Sequence, residues 1–356
     1  MKRLTKSSKR LLSIWRLHTG IRNNFGWIVT NEMNCPRILI EVDHLVHCLA
    51  TARGGFQFSI VETARGQRVK SSPLLDTIVG SIPSLSTADV RSIFPQHRVS
   101  PYFELWESAV ERLGPYSPAK VKVEDVEWMN KWILDLRRAA KSTKYLDTMR
   151  NERRTAQKNF TSLRKYVNGL FERYSRLLVI RLDLGYEQGS LSYSCDGMIT
   201  SKNANREFNK FVDHLPVNYP ELVGYAWKKE WGALKGPHMH LVLFFDGHKV
   251  RDDYGLGHFL GNAWRKMASP GATHWLCNAD KRSLEANGRL GIGMIDYADK
   301  ELRQGLEDVC MYLTKIDVYI RLKAPGLRVF GKGQIRGIAT KRGRPRLYTG
   351  VLQEEI

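Results

Sequence analysis

The chain has 356 residues, 56 Lys+Arg against 36 Asp+Glu, and a formal net charge of +20. That length can bury a sizeable core and suits two domains or one domain with an extension. The charge favours a polyanionic partner, most simply nucleic acid, and no apolar run approaches the length of a membrane-spanning helix.

The opening segment MKRLTKSSKRLLSIWRLHTG is basic, and its apolar piece is too short for a secretory signal. The five cysteines, Cys35, Cys48, Cys195, Cys277 and Cys310, show no paired spacing. They predict reduced thiols in a cytosolic protein and no zinc motif. RILIEVDHLVHCLATA reads as a helix and GGFQFSIVET as a strand. Asp43, His44, His47 and Cys48 have metal-ligand chemistry at helical spacing. No second pair of ligands completes a site, so an amphipathic helix with partly exposed histidines is the expectation.

From about Val123 to Tyr174 the chain contains one glycine and no proline, which predicts long helices. Residues 137–165 hold ten Lys/Arg and only Asp147 and Glu152 as acids. Such a run is either a solvated helix face or a DNA-contacting one. Residues 1–165 thus form a mostly helical, basic N-terminal region whose role the sequence leaves open.

The second half has a clearer rhythm. RLLVIRLDLGY is a strand, NANREFNKFVDHL a helix, and ELVGYAWKKEW with HMHLVLFFDG a hairpin. YGLGHFLGNAWRKMA is a second helix, THWLCNA a fourth strand, and GLEDVCMYLTKIDVYIRL a third helix. The order β-α-β-β-α-β followed by α predicts an α+β, ferredoxin-like (split βαβ) antiparallel sheet, with helices on one face and the other face open for a site.

Alternation sorts the hairpin. Tyr225, Trp227, Met239, Leu241, Leu243 and Phe245 share the core face. Gly224, Ala226, Lys228, Glu230, His238 and His240 share the other. Two imidazoles and a carboxylate converging on one face make a divalent-cation site with positions left for substrate. In the third helix, Leu306, Val309, Cys310, Leu313, Ile316 and Ile320 form one apolar stripe. Tyr312 flanks the stripe, a candidate nucleophile, and Lys315 lies on the next turn as a cation for its reaction.

HMH matches the His-hydrophobe-His motif of HUH endonucleases, and YLTK matches their YxxK nucleophile motif. SRLLVIRLDLGY, VGYAWKKEWGALKGPHMHLVLFFDG, MYLTK and VFGKGQIRG resemble the replication initiators of the inovirus gene-two type, over roughly residues 174–337. The resemblance implies that His238 and His240 bind Mg²⁺ or Mn²⁺ with Glu230 as the acidic third ligand. It implies that Tyr312 attacks a phosphodiester at a replication origin, leaving a 5′-phosphotyrosine and a free 3′-OH that starts rolling-circle replication of a phage, satellite or prophage. Arg181 and Asp183, in the first strand, take a supporting role. Tyr319, seven residues after Tyr312, is further apart than paired tyrosines of such initiators and is expected to be structural.

The HUH endonuclease domain is expected over 166–325 and a basic tail over 326–356. From Arg321 to Arg346 there are nine Lys/Arg and no acid. Lys341, Arg342 and Arg344 fall in KRGRPR, which resembles a minor-groove AT-hook; a generic disordered basic tail has the same composition. No G-x-x-x-x-G-K-[ST] occurs, so a host helicase would unwind the nicked duplex and a host polymerase extend it. The expected partners are single- and double-stranded origin DNA in the bacterial cytoplasm, with no membrane. A transposase of the same chemistry, or a non-enzymatic DNA-binding repressor with a degenerate site, are the alternatives.

Overall fold

The structure, a computed structural model, describes residues 8–12, 21–23, 26–28, 34–54, 56–85, 87–94, 97–114, 116, 120–187, 201–232, 236–315, 318–322 and 328–335. It combines helices with an antiparallel sheet, the α+β composition that the alternating patterns predict.

The N-terminal region is built on α1 (Cys35–Thr51), α2 (Pro73–Ser81), α3 (Thr87–Ile93), α4 (Pro101–Glu111) and α5 (Val126–Ala140). α2 and α4 start alike. A serine hydroxyl, Ser72 or Ser100, accepts from the backbone N–H three residues on, and a proline occupies the first helical position. α1 is buried on most of its surface, from Cys35 and Ile38 to Leu49 and Ala50, so it is a central helix rather than an amphipathic surface one. Asp43 pairs with Arg153 at 2.8 Å, and the His44 Nε2 to Cys48 Sγ distance is 3.6 Å. The region is not wholly helical: Ser59–Thr63 and Gly66–Lys70 form a hairpin, with Gly66 at φ 98° in the turn.

α6 (Thr143–Arg173) follows and crosses the expected boundary at 165/166. Its apolar side carries Phe160, Leu163, Tyr166, Val167, Leu170 and Phe171. These residues belong to one continuous core that runs from the N-terminal helices to the sheet. A cut inside α6 would divide that core, because the same helix packs in both directions.

The sheet contains β1 (Arg176–Tyr186), β2 (Leu222–Gly232), β3 (Gly236–Asp246), β4 (Ala272–Leu276), β5 (Gly293–Asp296) and β6 (Phe330–Lys332). The order is β5-β1-β3-β2-β6, with β4 also on the β1 edge, and every pairing is antiparallel. α7 (Ser201–Asn218) connects β1 to β2, and α8 (Asp253–Met267) connects β3 to β4. Both helices cover one face. Phe208, Phe211, Leu215, Leu260 and Trp264 pack there against Ile180, Leu182, Trp227, Met239, Leu241, Leu243 and Phe245. β5 and β6 add to the expected strands; with four and three residues they give no periodicity to read.

Among the described residues the opposite face is open at one end only. Val179, Ala226, Val242 and Phe244 are covered by α6 and by α10 (Lys300–Lys315), which follows the short α9 (Lys281–Ala286). The first residues of α10 cross the backbone at Leu290–Gly291 so tightly that a side chain at Gly305 would collide with it. α10 is buried from Leu306 to Thr314 except at Glu307, a wider coverage than the expected stripe, because α6, the sheet and the Arg10–Asp308 ion pair all meet it. It ends at Lys315 and does not continue to Leu322. Ile320–Leu322 pairs instead with His97–Val99, a long-range strand contact that overrides the helical reading.

β4 likewise ends at Leu276, before the expected strand does. Asn278 leaves the ladder to bond the β1 backbone, accepting from Arg181 N and donating to Val179 O, both at 2.9 Å. Among the described residues no helix is long and apolar enough to cross a membrane. Among the described residues no disulfide joins Cys35, Cys48, Cys277 and Cys310, and Cys195 lies outside them.

Candidate functional site

Register builds the site one row at a time. Gly224, Phe244 and Val179 form an apolar row under the covering helices. The next row is Ala226, Val242 and Arg181. Then the chemistry changes: Lys228, His240, Asp183 and Trp275 lie side by side across β2, β3, β1 and β4. Glu230 and His238 are direct partners in the row beyond. Residues two apart on a strand share a face, so the expected convergence of Glu230, His238 and His240 follows from the β2–β3 register.

The three side chains form the cluster with metal-ligand geometry found among the described residues, each offering one donor atom within 4.8 Å of the others. Glu230 Oε2 lies 3.4 Å from His238 Nε2 and 3.2 Å from His240 Nε2. Each ring is anchored through its other nitrogen. His238 Nδ1 donates to Gly236 O at 3.1 Å, and His240 Nδ1 donates to Asp183 Oδ1 at 2.7 Å. Both Nε2 atoms therefore point inward, the arrangement in which a carboxylate or carbonyl orients a metal-binding imidazole. Glu230 Oε1 is buried and has no hydrogen-bond partner among the described residues. An unpartnered carboxylate oxygen beside two inward nitrogens fits a cation, since its burial would otherwise go uncompensated.

Electrostatics agree with the geometry. Burial alone would raise the pKa of Glu230, but the His240 and His238 rings hold it well below the usual carboxylate range. Burial pushes His240 down, and Asp183 and Glu230 more than offset this and raise it.

Tyr312 closes the cluster. Its hydroxyl donates to Glu230 Oε2 at 3.1 Å and lies 3.0 Å from His240 Nε2. Its ring meets that of His240 edge to face, with centroids 5.1 Å apart. Burial, then the Glu230 charge, raises its pKa well above the ordinary phenol value, while Arg181 opposes them. Arg181 is itself buried, with its guanidinium 5.2 Å from the Tyr312 ring centroid and Nε 3.3 Å from Asp183 Oδ1. The supporting pair of β1 is thus built into the site: Asp183 orients His240, and Arg181 brings positive charge to Tyr312.

Residues 138–333 match the family model of the YagK/YfjJ C-terminal domain. The chain belongs to that family. No curated protein and no solved structure gives a significant match. The match spans more than half of the chain. The YagK/YfjJ C-terminal domain contains Glu230, His238, His240, Tyr312, Arg181 and Asp183, together with α6, whose apolar side faces the sheet.

The remaining expected residues are placed as follows. Lys315 turns away from the cluster side of α10 and sets its Nζ over the Phe160 ring of α6, 4.5 Å from the centroid. Burial there lowers its pKa, with Glu307 opposing. Tyr319 lies beyond the end of α10, where its backbone carbonyl accepts from Ser100 N at 2.9 Å. Burial and the Asp43 charge push its pKa up to about 12, consistent with a structural place beside the N-terminal helices. Lys341, Arg342 and Arg344 lie outside the described residues. Lys228, buried in the His240 row, carries a site-face charge to which sequence reasoning gave no role. Strand alternation already put it on that face, and a lysine there was the available signal.

Proposed function

We propose that this protein is a metal-dependent, site-specific single-strand DNA nickase and strand transferase of the HUH type. The observation that carries the reading is the Tyr312 hydroxyl lying 3.0 Å from His240 Nε2 and 3.1 Å from Glu230 Oε2. A nucleophile that touches the ligand set is where a phosphodiester held by that set would meet it. The strand order β4-β1-β3-β2, all antiparallel, with α7 and α8 as crossovers on one face, supports a ferredoxin-like reading of the sheet.

Glu230, His238 and His240 would hold the divalent ion, Mg²⁺ or Mn²⁺, which supplies a Lewis acid for a phosphate oxygen. Tyr312 Oη attacks phosphorus, and its proton passes toward Glu230 Oε2. The P–O3′ bond breaks, and the leaving oxygen takes up a proton to become a free 3′-OH. The 5′ phosphate stays esterified to Tyr312, so the phosphodiester energy is conserved and a later 3′-OH can reverse the step. Arg181, beside the ring, favours negative charge on Tyr312 as the proton leaves. Lys315 is one turn from the nucleophile, and its charge is proposed to act on the phosphoryl group when DNA is bound.

In the cell this chemistry would start rolling-circle replication of a phage, satellite or prophage in the bacterial cytoplasm, with a host helicase and polymerase. Incubating the protein and Mn²⁺ with single-stranded DNA from the region flanking its gene tests the reading. The expected product is a protein–DNA adduct, stable to denaturant and sensitive to protease, that maps to Tyr312. Attachment at another residue, or cleavage with two free ends, would sink it.

A further inference from the structure

We infer that Trp275 is the stacking platform for an unpaired base flanking the phosphate that Tyr312 attacks. The inference deepens the proposed function and rests on it for the identity of the strand, but not for the contact itself.

The position comes from register. Asp183 pairs with His240 on one side and with Trp275 on the other, so Trp275 stands in the His240 row and on the same face of the sheet. The alternation in β4 agrees. Ala272 and Leu276 are buried toward α7 and α8, whereas Trp275 is 46% exposed. Adjacent strands are about 4.8 Å apart, which puts the Trp275 backbone roughly 10 Å from that of His240. That separation is comparable with the reach from a phosphate to a flanking base.

The row beyond leaves space for the connecting backbone. Gly185 of β1 lies between His238 and Thr273, and a Cβ there would sit 3.7 Å from both His238 Cβ and Thr273 Oγ1. A side chain would fit at ordinary contact distance, so the glycine keeps the sheet surface low between His238 and Thr273. An indole half in water on an edge strand is otherwise a liability for sheet pairing and aggregation. Stacking with a base covers it. It suits any base, because every base has a π-face, and the chain's net charge of +20 attracts the backbone.

The test is binding, done without metal so that no cleavage is required. Affinity for a 5′-fluorescein-labelled 20-nucleotide oligo-dT is measured by anisotropy for the full chain and its variants. Trp275→Ala should weaken binding about tenfold, the range of one base–aromatic stack, and Trp275→Phe should stay within about threefold. Tyr254→Ala, an exposed aromatic on α8 and so on the helix-covered side, should bind as the parent does. Oligo-dT should also quench tryptophan emission in the parent more than in Trp275→Phe. That comparison decides the matter if Trp275→Ala fails to fold. Unchanged affinity in Trp275→Ala, equal loss in Tyr254→Ala, or equal quenching in Trp275→Phe would overturn the assignment. A Tyr312 adduct with no Trp275 effect rejects only this inference. A Trp275 effect with no adduct rejects only the nickase.

Discussion

Asp183 Oδ1 lies 2.7 Å from His240 Nδ1, and this bond decides which nitrogen His240 turns toward Glu230. Removing it frees the ring to rotate and lowers its basicity. Asp183→Ala is therefore expected to weaken Mn²⁺ binding by about 10- to 100-fold in titration calorimetry. Asp183→Asn keeps an acceptor for Nδ1–H and should lose less. Equal, unchanged affinities in both variants would remove Asp183 from the site.

The cluster predicts a separation of metal binding from DNA binding. The His238→Ala/His240→Ala double variant should lose Mn²⁺ binding and nicking, while duplex affinity and its salt slope remain near those of the parent. Duplex affinity would be spread over many basic contacts, for which the exposed Arg154, Lys158 and Lys165 of α6 are available. Glu230→Gln, which keeps the shape and removes the charge, should raise the Mn²⁺ concentration needed for half-maximal nicking. Normal nicking by the double variant would show that the cluster is not the catalytic centre.

Tyr312 and Lys315 are one helical turn apart but face different neighbours, so their variants should behave differently. Tyr312→Phe deletes only the hydroxyl bonded to Glu230 and should abolish the covalent adduct, with a stability change of about 1 kcal/mol in thermal melts. Lys315→Met keeps an apolar stem over Phe160 and deletes the charge. It should slow adduct formation about tenfold or more without moving the cut. If Lys315→Met lowers the melting temperature and leaves the rate alone, the lysine serves packing between α10 and α6.

A fourth prediction concerns stability away from the site. Asp43 is buried in α1; burial raises its pKa, and Arg153 opposes the rise. With a folded pKa above the unfolded value of 3.8, its contribution is fully present below that pH and is lost as pH rises through the folded pKa. Arg153→Met removes the opposing charge and raises the pKa of Asp43 further. The variant should be destabilised by about 1–2 kcal/mol at pH 7, a figure reduced because the arginine end is half in water. The penalty should shrink as pH falls through the folded pKa, below which Asp43 is protonated with or without its partner. A melting-temperature gap that stays constant with pH would mean that the arginine acts through packing alone.

The sequence by itself determined which side chains share a face. Strand alternation put Glu230, His238 and His240 together and assigned Met239, Leu241 and Leu243 to the core, because the period of a strand is local and needs no knowledge of neighbours. The same local periodicity placed Tyr312 at the flank of a buried stripe. Tertiary structure alone decided what those faces meet. Asp183 is fifty-seven residues from His240, and their bond depends on the β1–β3 register, which periodicity does not fix. Lys315 points toward α6 because α6 lies against α10. Half of the supposedly open face is covered for a related reason: α6 is amphipathic in sequence, but nothing in its pattern says which apolar surface it will find. Burial is a property of two surfaces in contact, and a sequence states only one of them at a time.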